Sequence, residues 1–138
     1  MHMLPLRNLA FFVGRWLIAA VFIFDATVLY RFWDSNLAFV GRIGLPHQVP
    51  TNIWLTALMA CQFFGGLLIG IGLWTRLAAL AFAAFCVSTA ILFHGNLGNI
   101  DETIQAGKDL AIAGGFLFLA FSGPGAWSVD ARRGGRFP

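Results

Sequence analysis

The fold turns on Ile53–Trp74, IWLTALMACQFFGGLLIGIGLW, followed after Thr75 and Arg76 by Leu77–Phe93, LAALAFAAFCVSTAILF. Neither stretch contains a Lys, Arg, Asp or Glu. A helix that spans lipid needs about 20 mostly apolar residues, because each adds about 1.5 Å across a hydrocarbon core about 30 Å thick. Two such runs with only Thr75 and Arg76 between them read as an antiparallel pair of membrane helices. Upstream, Leu9–Tyr30 is a third run, interrupted by Arg15 and Asp25. Downstream, Ile104–Phe121 is a fourth, with Lys108 and Asp109 in its first turns. Asn99 and Glu102 have capping-box spacing, which starts that last helix near Ile100. The expected spans are 9–31, 52–74, 76–94 and 100–122. Together they predict an all-α fold: one integral membrane four-helix antiparallel bundle over residues 1–138. The first run is too long for a signal-peptide core and has no small-x-small cleavage site before Asp25, so it is expected to be a retained membrane helix.

Composition agrees. The chain is 59% hydrophobic and 11% charged, whereas soluble domains carry about a quarter charged residues. Its nine Lys and Arg are scattered and face six Asp and Glu, so there is no basic stripe for nucleic acid. The partner that composition implies is the lipid bilayer.

The connections differ. Arg31–Thr51 is long enough for a short amphipathic helix lying on the membrane surface. Asp34, Ser35 and Asn36 are its candidate starts, Leu37, Phe39, Val40 and Ile43 its apolar face, and Gly44 and Pro46 its end. The tail from Ser122 to Pro138 is rich in Gly and Pro and is expected to be mostly irregular. The amino end, the turn at Arg76 and the tail share one side, with Arg7, Arg76, Arg132, Arg133 and Arg136 on it and Arg15 close by. The other side has Arg31, Arg42 and Lys108, diluted by Asp34, Asp101 and Glu102. The positive-inside rule then places both termini in the cytoplasm. Trp33, Trp54, Trp74 and Trp127 fall at the expected interfaces.

Lipid supplies no hydrophobic drive between helices, so association depends on close packing and interhelical hydrogen bonds. Gly65, Gly66 and Gly70 on the second helix, and Gly114 and Gly115 beside Gly107 and Ala111 on the fourth, are expected packing stripes. Gln62, near mid-membrane, is expected to hydrogen-bond across helices. Arg15 is expected to anchor near the cytoplasmic end, by snorkelling to headgroups or by clamping carbonyls. Cys61 and Cys86 read as small apolar residues rather than a redox pair.

Intramembrane charges cost about 2.5–3.5 kcal/mol each at a helix centre, so those present need a reason. Asp25 sits about 9 Å inside the outer end of the first span and must be protonated or paired. His94, Lys108 and Asp109 reach the same depth from the third and fourth helices. These four are the candidate ligand or proton-relay residues: Lys108 to donate, His94 to relay protons near neutral pH, and Asp25 to set the charge balance. The same four side chains could instead form a structural salt-bridge network. No metal, nucleotide or hydrolase signature is present, and catalytic residues are not identified.

Several segments resemble the DoxX family of small bacterial membrane proteins. They are Gly14-Arg15, Ile43-Gly44-Leu45-Pro46, the run GGLLIGIGLWTRLAAL from Gly65 to Leu80, Phe93-His94, Lys108 leading to Gly114-Gly115, Gly123-Pro124-Gly125, and Ser128-Val129-Asp130. The resemblance covers nearly the whole chain. It implies a four-helix protein of the bacterial inner membrane linked to redox chemistry, through quinone-linked sulfur oxidation and oxidant-detoxifying membrane complexes. Two departures change the charge of any site: Gln62 stands where family members often carry Glu, and Asp109 where Asn often follows the lysine.

The expected function is therefore an accessory membrane subunit of a redox system, not catalytic alone, with a quinone or lipid pocket on the extracytoplasmic side. If it belongs to an enzyme, it is an oxidoreductase subunit. The rival is a structural or assembly subunit that binds a partner membrane protein or forms a homo-oligomer. A proton or solute carrier is a third reading, disfavoured by four helices with no inverted repeat.

Overall fold

The computed structural model describes residues 3–42, 46, 48–95 and 98–134, with side chains from Leu6 onward. Six helices follow in order: α1 (Met3–Arg31), α2 (Trp33–Val40), α3 (Thr51–Ile71), α4 (Thr75–Leu92), α5 (Ile100–Ser122) and α6 (Val129–Arg132). Of these, α1, α3, α4 and α5 are long and apolar enough to cross a membrane. They form the expected antiparallel four-helix membrane bundle. Its outer face is apolar, with Leu17, Phe24, Phe64, Leu77, Phe118 and Phe121 all strongly exposed. A water-soluble protein rarely shows so much contiguous apolar surface.

The bundle is built from two tight helix pairs, α1 with α3 and α4 with α5. Glycines on α3 set the first pair. A Cβ at Gly66 would lie 3.1 Å from the Ala19 carbonyl oxygen and 3.0 Å from Ile23 Cγ1 of α1. One at Gly70 would lie 2.8 Å from the Trp16 ring. Close backbone approach is how helices gain van der Waals contact in lipid. Gly65 faces the other way, and a Cβ there would run into the Phe82 ring of α4.

An aromatic seam joins the pairs. Phe22 of α1 meets Phe82 edge-on at 4.7 Å between ring centroids and Phe116 of α5 at 5.4 Å. Phe82 stacks on Phe116 at 5.2 Å. Such ring pairs add about 0.5–1.5 kcal/mol each beyond their buried area. Away from the seam, α1 and α5 scarcely touch.

Several boundaries and contacts differ from the sequence reading. Helix α1 begins at Met3, well before residue 9. Helix α3 stops at Ile71, not 74, because Gly72 takes a left-handed conformation (φ +74°). Its N–H donates to Ile69 O, and that of Leu73 to Leu68 O, closing the helix end. The turn is thus Gly72–Trp74, and Thr75 opens α4. The surface helix forms, but it starts at Trp33 and ends at Val40, with Asn36 inside it. Ile43 and Gly44, its expected last contact and stop, lie outside the described residues, as does Arg136. On α5, Gly107 and Gly114 pack on nothing: a Cβ at either meets no atom within 4 Å. Gly115 faces only Ile18. The α5 stripe therefore lies largely on the outside of this bundle.

Candidate functional site

The two ends of the bundle are built differently. At the turn end, Arg15 is 2% exposed. Its Nε donates to Gly70 O at 3.1 Å and its Nη2 to Trp127 O at 2.7 Å, while Nη1 donates to Pro124 O. Of the two anchoring modes expected for Arg15, the carbonyl clamp is the one formed. The tail that supplies two of these acceptors is mostly irregular, as expected, with only the short α6 in it, yet its backbone is fixed by these contacts. Ser128 caps α6, accepting from Ala131 N–H at 3.1 Å and donating to Gly125 O at 2.8 Å. Asp130 then reaches across to α4. Its Oδ1 accepts from Trp74 N–H at 2.9 Å, and its Oδ2 from the Thr75 N–H and hydroxyl, both at 2.8 Å. Trp74 sits in left-handed backbone (φ 49°), uncommon for a bulky residue. The tail carboxylate thus does for α4 what a local N-cap side chain does elsewhere.

At the opposite end lies a cavity of about 380 Å³ between the two helix pairs. Asp25, Gln62, His94, Lys108 and Asp109 all line it. Phe22 and Phe85 lie on the seam side. Phe39 of α2 and Phe93, 5.8 Å apart, also line it where α2 meets the end of α4. Asn36 ties α2 to the end of α1, its Nδ2 donating to Leu29 O at 3.4 Å as well as to Phe32 O at 2.9 Å.

Among the described residues the four candidate charges are not wired to one another as a salt-bridge network. His94 Nδ1 pairs instead with Glu102 Oε2 at 3.5 Å, an ion pair when the imidazole is protonated. Lys108 Nζ donates to Gln105 Oε1 at 3.1 Å. Asp109 Oδ2 accepts from Thr89 Oγ1 at 2.9 Å. Asp25 has no hydrogen-bond partner among the described residues. Gln62 is 7% exposed, yet its Oε1 is unpartnered. The cross-helix bond expected of it is not made, and the residue lines the cavity. A buried polar atom without a partner costs about 1–3 kcal/mol.

A sequence model of the DoxX family matches residues 10–95, from the first turns of α1 to the end of α4. The chain belongs to the DoxX family. Its relatives agree over more of its length. It is 34% identical to the inner membrane protein YqjF of Escherichia coli (strain K12) over 128 residues, 93% of this chain and 95% of the relative. It is 26% identical to the inner membrane protein YphA of the same organism over 131 residues, 91% of each. No solved structure matches.

In this DoxX protein, several cavity residues carry no signal in the sequence. Thr89 positions Asp109, but it reads as one more residue of an apolar run. Cys86 is buried and lines the cavity, whereas Cys61 is exposed on the outer surface. The two thiols are free. Gln105 stands out in the sequence only as a polar residue in the first turns of α5.

Proposed function

We propose that this DoxX protein is an accessory subunit of a quinone-linked redox system in the bacterial inner membrane, and that residues 1–138 act as one unit. Its cavity binds the head of a quinone or a similar lipid. The observation that carries this reading is Gln62: an almost fully buried amide with an unpartnered oxygen on the wall of a cavity. The volume suits a small ring, since ligand pockets run from about 300 to 1,000 Å³. Lys108, His94 and the Gln62 amide can donate to ring carbonyls, and the free Asp25 carboxylate can accept from ring hydroxyls. A bound quinone would supply electron-accepting chemistry, with the electrons coming from a partner membrane oxidoreductase. The chain's own residues would orient the ring and hold protons beside it. The cationic turn end, with Arg7, Arg76, Arg132 and Arg133, supports placing both termini in the cytoplasm and the cavity on the outer side.

Organic extraction of purified protein should release quinone in stoichiometric amount from the wild type and much less from Gln62→Leu. Empty wild-type extracts, together with a partner oxidoreductase indifferent to Lys108→Ala, would end this reading.

The outward stripe Gly107, Ala111 and Gly114 favours a second reading, an assembly subunit that seats a partner's membrane helix there. Pulldown from membranes of a stoichiometric membrane protein, lost on Gly114→Phe, with no small molecule in the extract, would select it.

A further inference from the structure

We propose that the cleft between α1 and α5 is a subsite for an apolar tail, and that the cavity's ligand is a long-tailed amphiphile entering sideways from the bilayer. The inference rests on the cavity reading above and adds the ligand's shape and route. Three observations carry it. First, α1 and α5 scarcely touch, so the cavity is not closed on that side by helix contact. Val21 and Asp25 on α1 and Lys108 on α5 line the cavity and are exposed. Second, a separate apolar groove of about 310 Å³ lies between the same two helices nearer the turn end. Third, the two linings follow one another within a turn on both helices. On α1, Val21 lines the cavity and Ile18 the groove; on α5, Ile112 lines the cavity and Gly115 the groove.

The groove has room on both helices where a glycine faces it. A Cβ at Gly14 would meet nothing within 4 Å, and one at Gly115 only Ile18 Cδ1 at 3.5 Å. From Ile18 to Arg7 the groove follows about 16 Å of helix. A head held at Gln62 and Asp25 would therefore send its chain out past Ile112 and down this groove. No water-soluble ligand needs such a path, because apart from Arg7, Arg15 and Ser122 the groove is lined by apolar residues. Asp25 and Lys108, which are not bonded to each other, flank the portal at the depth where a polar head would pass.

The test uses full-length protein in nanodiscs of one lipid composition and two probes, a decyl-substituted dimethoxybenzoquinone and its tail-less parent. Comparing variants in the same lipid cancels partitioning. Filling the groove with Gly115→Leu should weaken the decyl probe by about tenfold or more, because its chain no longer has apolar walls to lie between. The tail-less probe should be unaffected. Gly14→Leu should do the same and decides the matter if Gly115→Leu fails to fold. Gln62→Leu should weaken both probes. If both groove variants bind the decyl probe as wild type does while Gln62→Leu weakens both probes, the tail subsite is wrong and the cavity reading stands. If neither probe binds, or Gln62→Leu changes nothing, both fall.

Discussion

At one end of this bundle a buried arginine and a tail carboxylate are fully partnered, and at the other a carboxylate and a buried amide oxygen are not. At the turn end, Arg15 is wrapped by three backbone carbonyls and Asp130 accepts three hydrogen bonds from Trp74 and Thr75. At the cavity end, Asp25 and the Gln62 oxygen are left without partners among the described residues. Burial of polar groups in lipid is costly in both places. The protein offsets the cost with its own backbone at one end and leaves it standing at the other. That difference separates scaffold from candidate site better than the mere presence of charge does.

The largest effect should come from breaking the satisfied end. Arg15→Met takes the donor from three carbonyls, that of Gly70 buried and those of Pro124 and Trp127 partly so, and should cost about 3 kcal/mol, since single hydrogen bonds to a charged group contribute about 1.5–3 kcal/mol. The melting temperature in detergent would show it, with protease cleavage of the tail appearing at the same time. Arg15→Lys should recover less than half, because an ammonium cannot span three diverging acceptors. Next in size is Gly65→Ala, which pushes the Phe82 ring out of the seam and should cost about 1–3 kcal/mol. Asp130→Ala removes the α4 cap and should cost about 1–2 kcal/mol. Its signature would be faster amide exchange at Trp74 and Thr75. The smallest effect belongs to the unsatisfied end. Gln62→Leu should leave stability unchanged or raise it by about 1 kcal/mol, because it removes an unpartnered buried oxygen. If Gln62→Leu proves as damaging as Arg15→Met, the contrast between the ends is lost.

The four spans were legible because length and hydropathy alone dictate them; the α5 boundary was read correctly from Asn99. The grouping of Asp25, His94, Lys108 and Asp109 followed from their depth once the antiparallel order was set. What could not be read depends on contacts remote in sequence. The tail is mostly irregular, as its Gly and Pro content implies, but its attachment to Arg15, 112 residues away from Trp127, has no mark in the local sequence. The stripe on α5 looked like packing because spacing cannot tell a neighbouring helix from lipid: Gly66 has Ala19 against it, and Gly114 has open space. Whether a buried amide such as Gln62 finds a partner is likewise a property of three-dimensional neighbours and not of its own run.

The Arg15 clamp also sets an order of events during biogenesis. α1 is made before α3 and the tail, with its guanidinium then carrying none of its eventual acceptors. Gly70 arrives with α3, but Pro124 and Trp127 leave the ribosome only after every span has been made. A nascent chain stalled before that point holds a cation that is only partly compensated. A product truncated there keeps only one of the three carbonyls that hold Arg15.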